Sequence, residues 1–122
     1  WQTGTYAHGT FNCTTKDIDF GQPALRKNIY KVYVTYKSTD GANIPKAKIY
    51  YGTDGSAVSS TFATGTGYDN TDGFAASATY TTVELTPSSA IKNARSIQLK
   101  VEKSSEASID SGFEISDISI VY

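Results

Sequence analysis

The side chains with the most chemical reach in this sequence are His8, Cys13 and the twelve carboxylates of Asp and Glu. A nucleophilic centre would pair Cys13 or a serine with His8, the only histidine. The offset from position 8 to position 13 sends those two side chains to opposite faces of an extended chain. An orienting acid and an oxyanion site are also required, and no G-x-S-x-G elbow occurs. Cys13 therefore reads as a small buried hydrophobe and His8 as a solvated side chain.

Glycosidic cleavage needs two carboxyls facing each other across a cleft. Asp40 and Asp54 each precede a glycine and read as turn formers, while Glu84 and Glu102 fall on outward positions of extended segments. Asp17 and Asp19 share a face, but neighbours on one strand cannot flank a bond from opposite sides. Asp69-Asn70-Thr71-Asp72-Gly73 gathers oxygen ligands beside a glycine as calcium loops do, yet it lacks their alternating acidic spacing and a downstream glutamate at the usual distance. An acidic turn is the plainer reading, with calcium as its one alternative. No cofactor and no catalytic or metal-ligating residue is assigned, which points away from an enzyme.

Nine tyrosines make recognition by aromatic rings the stronger functional lead. Tyr33, Tyr50 and Tyr80 fall on outward positions, and Tyr68 and Phe74 are the only large apolar side chains in the stretch 64–78. We take Tyr33, Tyr50, Tyr68 and Phe74 as the candidate contact surface, facing either a carbohydrate or a neighbouring subunit.

Composition narrows the partners. Eleven basic and twelve acidic residues leave a formal charge of -1, and the modest basic band of Arg26, Lys27, Lys31 and Lys37 is offset by nearby acids. Neither free nucleic acid nor an anionic membrane is favoured by that balance, and no stretch has the length and apolarity of a membrane span. A single cysteine makes no internal disulfide. Asn12-Cys13-Thr14 matches the glycosylation triplet, a pattern that arises often by chance. At 122 residues the chain has room for one core, hence a single domain over 1–122. It contains no methionine, begins on Trp1 and ends on Ile120-Val121-Tyr122, so we expect a piece of a longer protein.

Any such surface has to be carried by strands, because Thr, Ser, Tyr, Gly, Val and Ile are plentiful and Leu is scarce. The organising stretch is 27–37, where Tyr30, Val32, Val34 and Tyr36 alternate with Lys31, Tyr33, Thr35 and Lys37. Before it, 1–13 alternates weakly around Tyr6, Phe11 and Cys13, and 14–20 sets Ile18 and Phe20 against Asp17 and Asp19; Gly21-Gln22-Pro23 then breaks the strand. After it, Asp40-Gly41 predicts a tight hairpin returning through 46–51 with Ala47, Ile49 and Tyr51 inward. Asp54-Gly55 closes that strand, 60–63 adds a short one around Phe62, and 64–78 reads as a long surface loop.

Further along, 79–85 places Thr79, Thr81, Val83 and Leu85 on one face, and 90–94 is the one place for a helical turn. Ile97, Leu99 and Val101 point inward from 96–102, and 104–111 is loop-like. In 113–122 the apolar parity changes between Ile115 and Ile118, the mark of a bulge near Ser116-Asp117. The sum is an all-β chain, an antiparallel β-sandwich of jelly-roll type with about seven to eight strands.

Two stretches also carry a resemblance. Lys16-Asp17-Ile18-Asp19-Phe20-Gly21-Gln22-Pro23 through Arg26-Lys27 into Tyr30–Lys37, and the closing Phe113-Glu114-Ile115-Ser116-Asp117-Ile118-Ser119-Ile120-Val121-Tyr122, resemble the C-terminal β-domain of tail proteins of nozzle or tail-tube type from marine tailed phages. The similarity covers framework strands and thins over 38–79. It implies a structural role in the virion tail, assembly with copies of itself or with other tail proteins in a ring, and no enzyme activity.

Overall fold

The computed structural model describes residues 11–38, 47–103 and 113–122. His8, Tyr6, the Asp40-Gly41 turn and the 104–111 loop lie outside these. Among the described residues eleven strands follow one another: β1 (Phe11–Thr14), β2 (Lys27–Ile29), β3 (Lys31–Ser38), β4 (Ala47–Thr53), β5 (Ser60–Thr61), β6 (Tyr68–Asp69), β7 (Gly73–Phe74), β8 (Ser77–Leu85), β9 (Ile91–Ala94), β10 (Ile97–Lys103) and β11 (Phe113–Val121).

Alternation does what it should in the long strands. β3 buries Val32, Val34, Tyr36 and Ser38 and turns Lys31, Tyr33, Thr35 and Lys37 outward. β10 buries Ile97, Leu99 and Val101, and β4 buries Ala47, Ile49 and Tyr51. Seven strands make the two principal layers: a four-stranded sheet in the order β1-β10-β4-β5 and a three-stranded sheet in the order β11-β3-β8. The inward rows of the two sheets meet in one core, giving an all-β fold of sandwich type. Each fully buried Val, Leu or Ile there contributes about 1.5–3 kcal/mol of apolar transfer. The pairs β2-β9 and β6-β7 are small additions.

One lateral side of the sandwich is closed by backbone bonds. β5 pairs with Tyr50 and Tyr51 of β4, and the chain just beyond it bonds to the continuation of β8: Ala63 donates to Thr86 O at 2.8 Å and Ser88 donates to Thr61 O at 3.1 Å. The opposite side lies between β1 and β11, and no ladder joins those two strands among the described residues.

Several local expectations need correction. β4 is not the hairpin partner of β3; β3 is already flanked by β11 and β8, so the 39–46 connection carries the chain to the other sheet. Residues 91–94 form a strand against β2, with Asn93 at φ 57 held by its amide bond to Asn28 Oδ1 at 3.1 Å, so there is no helical turn. The strand expected over 14–20 stops at Thr14; Ile18 keeps a bridge to Ile97, while Phe20 turns to φ 59. Tyr30 is exposed because it sits in the break between β2 and β3, and Thr79 is exposed beside a register shift of β8.

The bulge near Ser116-Asp117 is present, between Ile115 and Asp117. A second irregularity lies on the other flank of β3, where Tyr36 pairs with Thr81 but Ser38 with Ser77. Both free edges of this sheet are therefore kinked at the level of Tyr36, which discourages edge-to-edge pairing.

Candidate functional site

The stretch 64–78 departs most from expectation, and with it half of the candidate contact surface. It is not a surface loop but a small hairpin folded onto the core. Tyr68 is 4% exposed and Phe74 is fully buried. Phe74 packs on Tyr36 at 4.8 Å, on Tyr68 at 5.0 Å and on Phe113 at 5.5 Å between ring centroids. The Tyr36 hydroxyl donates to Ala75 O at 2.6 Å, and the Tyr68 hydroxyl lies 3.3 Å from both N and O of Ile49. Burial raises the pKa of both phenols. The hairpin reaches this depth because Gly73, at φ 90, has no Cβ to collide with Ala47 O. Tyr68 and Phe74 are thus core residues and leave the contact surface.

Tyr33 and Tyr50 do lie on outer faces, but of different sheets. Tyr50, in β4, has Lys100 Nζ 4.9 Å from its ring centroid. Tyr33 stands in the middle of the β11-β3-β8 face and donates to Glu84 Oε2 at 2.8 Å. Lys31 pairs with the other oxygen of Glu84 at 2.8 Å. Thr35 and Thr82 share a hydrogen bond of 2.8 Å, and Tyr80 donates to Glu114 Oε2 at 2.9 Å with Lys37 5.3 Å from its ring centroid. Glu84 is held below the ordinary carboxylate range by Lys31 first and by Tyr33 second, while Glu84 raises Tyr33 and Glu114 raises Tyr80. Lys31 and Glu84 form the ion pair of this face among the described residues, while Glu114 and Lys37 both meet Tyr80. The face presents Tyr80, 54% exposed, among threonines and charged groups.

Of the two carboxylates read as turn formers before a glycine, Asp54 sits in a turn, while Asp40 lies outside the described residues. Asp54 Oδ1 accepts from the amides of Arg95 at 2.7 Å and Ser96 at 3.1 Å, and these two bonds lower its pKa. Asp69 Oδ1 accepts from the amides of Thr71 at 2.6 Å and Asp72 at 3.2 Å, which lower its pKa likewise. Asp19 Oδ1 accepts from Gly21 N at 2.9 Å, and Asp17 Oδ1 from Ser96 Oγ at 3.2 Å. An open groove of about 340 Å3 runs along the hairpin between Thr64 and Ala76, with Asp69 and Asp72 on its wall. Among the described residues no three Asp, Glu, His or Cys side chains gather at metal-binding distance. Cys13 is a half-buried free thiol.

A surface that the sequence reading missed appears at the end of the sandwich where β3 begins and β11 ends. Tyr30 stands two residues before buried Val32, and Tyr122 two residues after Ile120, so each steps off the end of an apolar row. Tyr30 donates its amide to Val121 O at 2.9 Å, bringing the two strand ends together. Leu25 and Val121 lie at the same end. Of the five exposed large hydrophobics among the described residues, four (Leu25, Tyr30, Val121 and Tyr122) belong here. The signal in the sequence was the apolar parity continuing to Tyr30 and Tyr122, which burial alone would not have distinguished from core.

Fold and surfaces together define an all-β fold of sandwich type that offers an aromatic sheet face and an apolar ledge. No family model, curated protein or solved structure matches the chain.

Proposed function

We propose that this chain is a non-enzymatic structural module that packs against copies of itself or against companion proteins, and that it serves in the tail of a phage virion. The observation that carries the packing role is the ledge of Leu25, Tyr30, Val121 and Tyr122, where Tyr30 and Tyr122 step off the apolar rows of β3 and β11 into solvent and Leu25 and Val121 add exposed apolar surface. Apolar residues clustered in this way gain free energy when a neighbour covers them. The sheet face of Tyr33 and Tyr80 supports the same reading, since Glu84 is already paired with Lys31 there and Glu114 accepts from Tyr80. The virion tail as location, and a ring of like subunits, rest on the resemblance of 16–37 and 113–122 to tail-protein framework strands. In a ring the contacts are head-to-tail, one patch of each subunit meeting a different patch of the next. Hydroxyl-radical footprinting at low and high protein concentration tests the packing role. The ledge side chains lose reactivity as concentration rises; equal reactivity at both concentrations rejects it.

A second reading is favoured by the exposure of Tyr80 beside Glu114 and the Thr35–Thr82 pair: a flat face of ring and hydroxyls suited to a host-surface glycan. Glycan-array screening of the wild type beside Tyr33→Ala and Tyr80→Ala separates the two. Saccharide binding that both variants abolish favours the glycan.

A further inference from the structure

The side of the sandwich between β1 and β11 has no ladder across it among the described residues, yet one set of contacts spans it. The chain after β1 stays with the four-stranded sheet through Ile18, which exchanges backbone bonds with Ile97 at 2.9 and 3.1 Å. Two residues later the ring of Phe20 lies 4.2 Å from that of Tyr122, at the end of β11 in the other sheet. Phe20 holds φ 59 to do this, a conformation that an aromatic L-residue adopts only under constraint. The constraint is Lys27. Its ammonium, on a residue only 9% exposed, donates to Gln22 O at 2.9 Å, Leu25 O at 3.0 Å and Asp19 O at 3.4 Å, and it lies 5.4 Å from the Phe20 ring centroid. The 19–25 segment is wrapped around a lysine donated by β2.

We propose that Lys27, Phe20 and Tyr122 form a latch that holds the open side of the sandwich shut. Lys27 is the positioning residue: it gathers three carbonyls, which fixes the strained turn at Phe20 and lays its ring on Tyr122. With the latch released, β1 and β11 part, while the other side stays joined through β5 and the continuation of β8. The opening exposes the inner row of β11, which stays laddered to β3 and whose Ile115, Ile118 and Ile120 are only partly buried even when the latch is closed.

Cys13 is a built-in reporter. It pairs with buried Val101, so its half-buried thiol lies on the inner side of β1, next to the opening. The experiment measures the rate of Cys13 labelling by a disulfide reagent, together with amide exchange of β3, β8 and β11, in dilute protein. Lys27→Met keeps the buried stem and removes the donors; Tyr122→Ala removes only the ring from the end of β11. Lys27→Met is expected to raise Cys13 labelling about tenfold or more, at least the factor implied by losing one charged hydrogen bond, and Tyr122→Ala about twofold to tenfold, the worth of one aromatic pair, each with unchanged exchange between β3 and β8. If Lys27→Met does not fold, Tyr122→Ala decides alone. Labelling that stays at the wild-type rate overturns the proposal, and so does labelling that rises in step with exchange in β3 and β8, because that is loosening of the whole sandwich.

Discussion

The Tyr68 hydroxyl sits 3.3 Å from both the amide nitrogen and the carbonyl oxygen of Ile49, on the edge of β4 where β5, pairing only Tyr50 and Tyr51, leaves the strand uncovered. A side chain here substitutes for the missing strand. Tyr68→Phe keeps the ring and strands two buried backbone groups, so we expect a loss of about 1–3 kcal/mol, read as a lower denaturant midpoint with an unchanged slope.

Phe74 joins the hairpin to Tyr36 and Phe113 on the other sheet, so truncating it opens a void between layers. Phe74→Ala is expected to lower stability by about 3–5 kcal/mol in the same unfolding assay. Were Phe74 a surface contact residue, the substitution would be nearly neutral.

Gly73→Ala sets a methyl group against the backbone carbonyl of Ala47 at a positive φ. The carbonyl belongs to a strand paired along its length with β10 and has nowhere to move. We expect loss of the hairpin, seen in proton spectra as loss of the ring-current shifts of Phe74 and Tyr68, while Gly55→Ala, with open space around its Cβ, retains them.

Stability should fall at both ends of the pH scale for separate reasons. Asp54, Asp69 and Glu84 have folded-state pKa values below their ordinary ones, so the stability they contribute is present above those ordinary values and is lost as pH falls through the folded ones. Tyr36 and Tyr68 are raised by burial, so their contribution is complete below the ordinary tyrosine value and is lost as pH rises through the raised one. Melting temperatures across an acid and an alkaline series check both limbs. Tyr68→Phe should flatten the alkaline limb, and Asp54→Asn the acid one.

The sequence was most legible where one pattern ran long enough to count. The alternation in 31–37 and 96–102 predicted both buried rows, and the parity change at Ile115 and Ile118 located a bulge that exists. The residues that misled belong to short or non-local features. Tyr68 and Phe74 lie on strands of two residues each, too brief to show a period, within a stretch whose glycines and aspartates are those of any loop. The Asp40-Gly41 pair suggested a hairpin, but strand partners are chosen across the whole chain, and β8 and β11 already occupy both edges of β3. Of the candidate contact residues, Tyr33 and Tyr50 face outward as alternation requires. That they face opposite ways is a matter of sheet membership, which alternation does not encode.

The packing role is tested most directly by sedimentation velocity over a concentration series, comparing the wild type with a Leu25→Ser, Tyr30→Ser, Val121→Ser variant, which leaves the ring of Tyr122 in place. The wild type is predicted to sediment faster as concentration rises, and the variant to remain monomeric throughout. A wild type that stays monomeric at every concentration, or a variant that associates just as strongly, contradicts it.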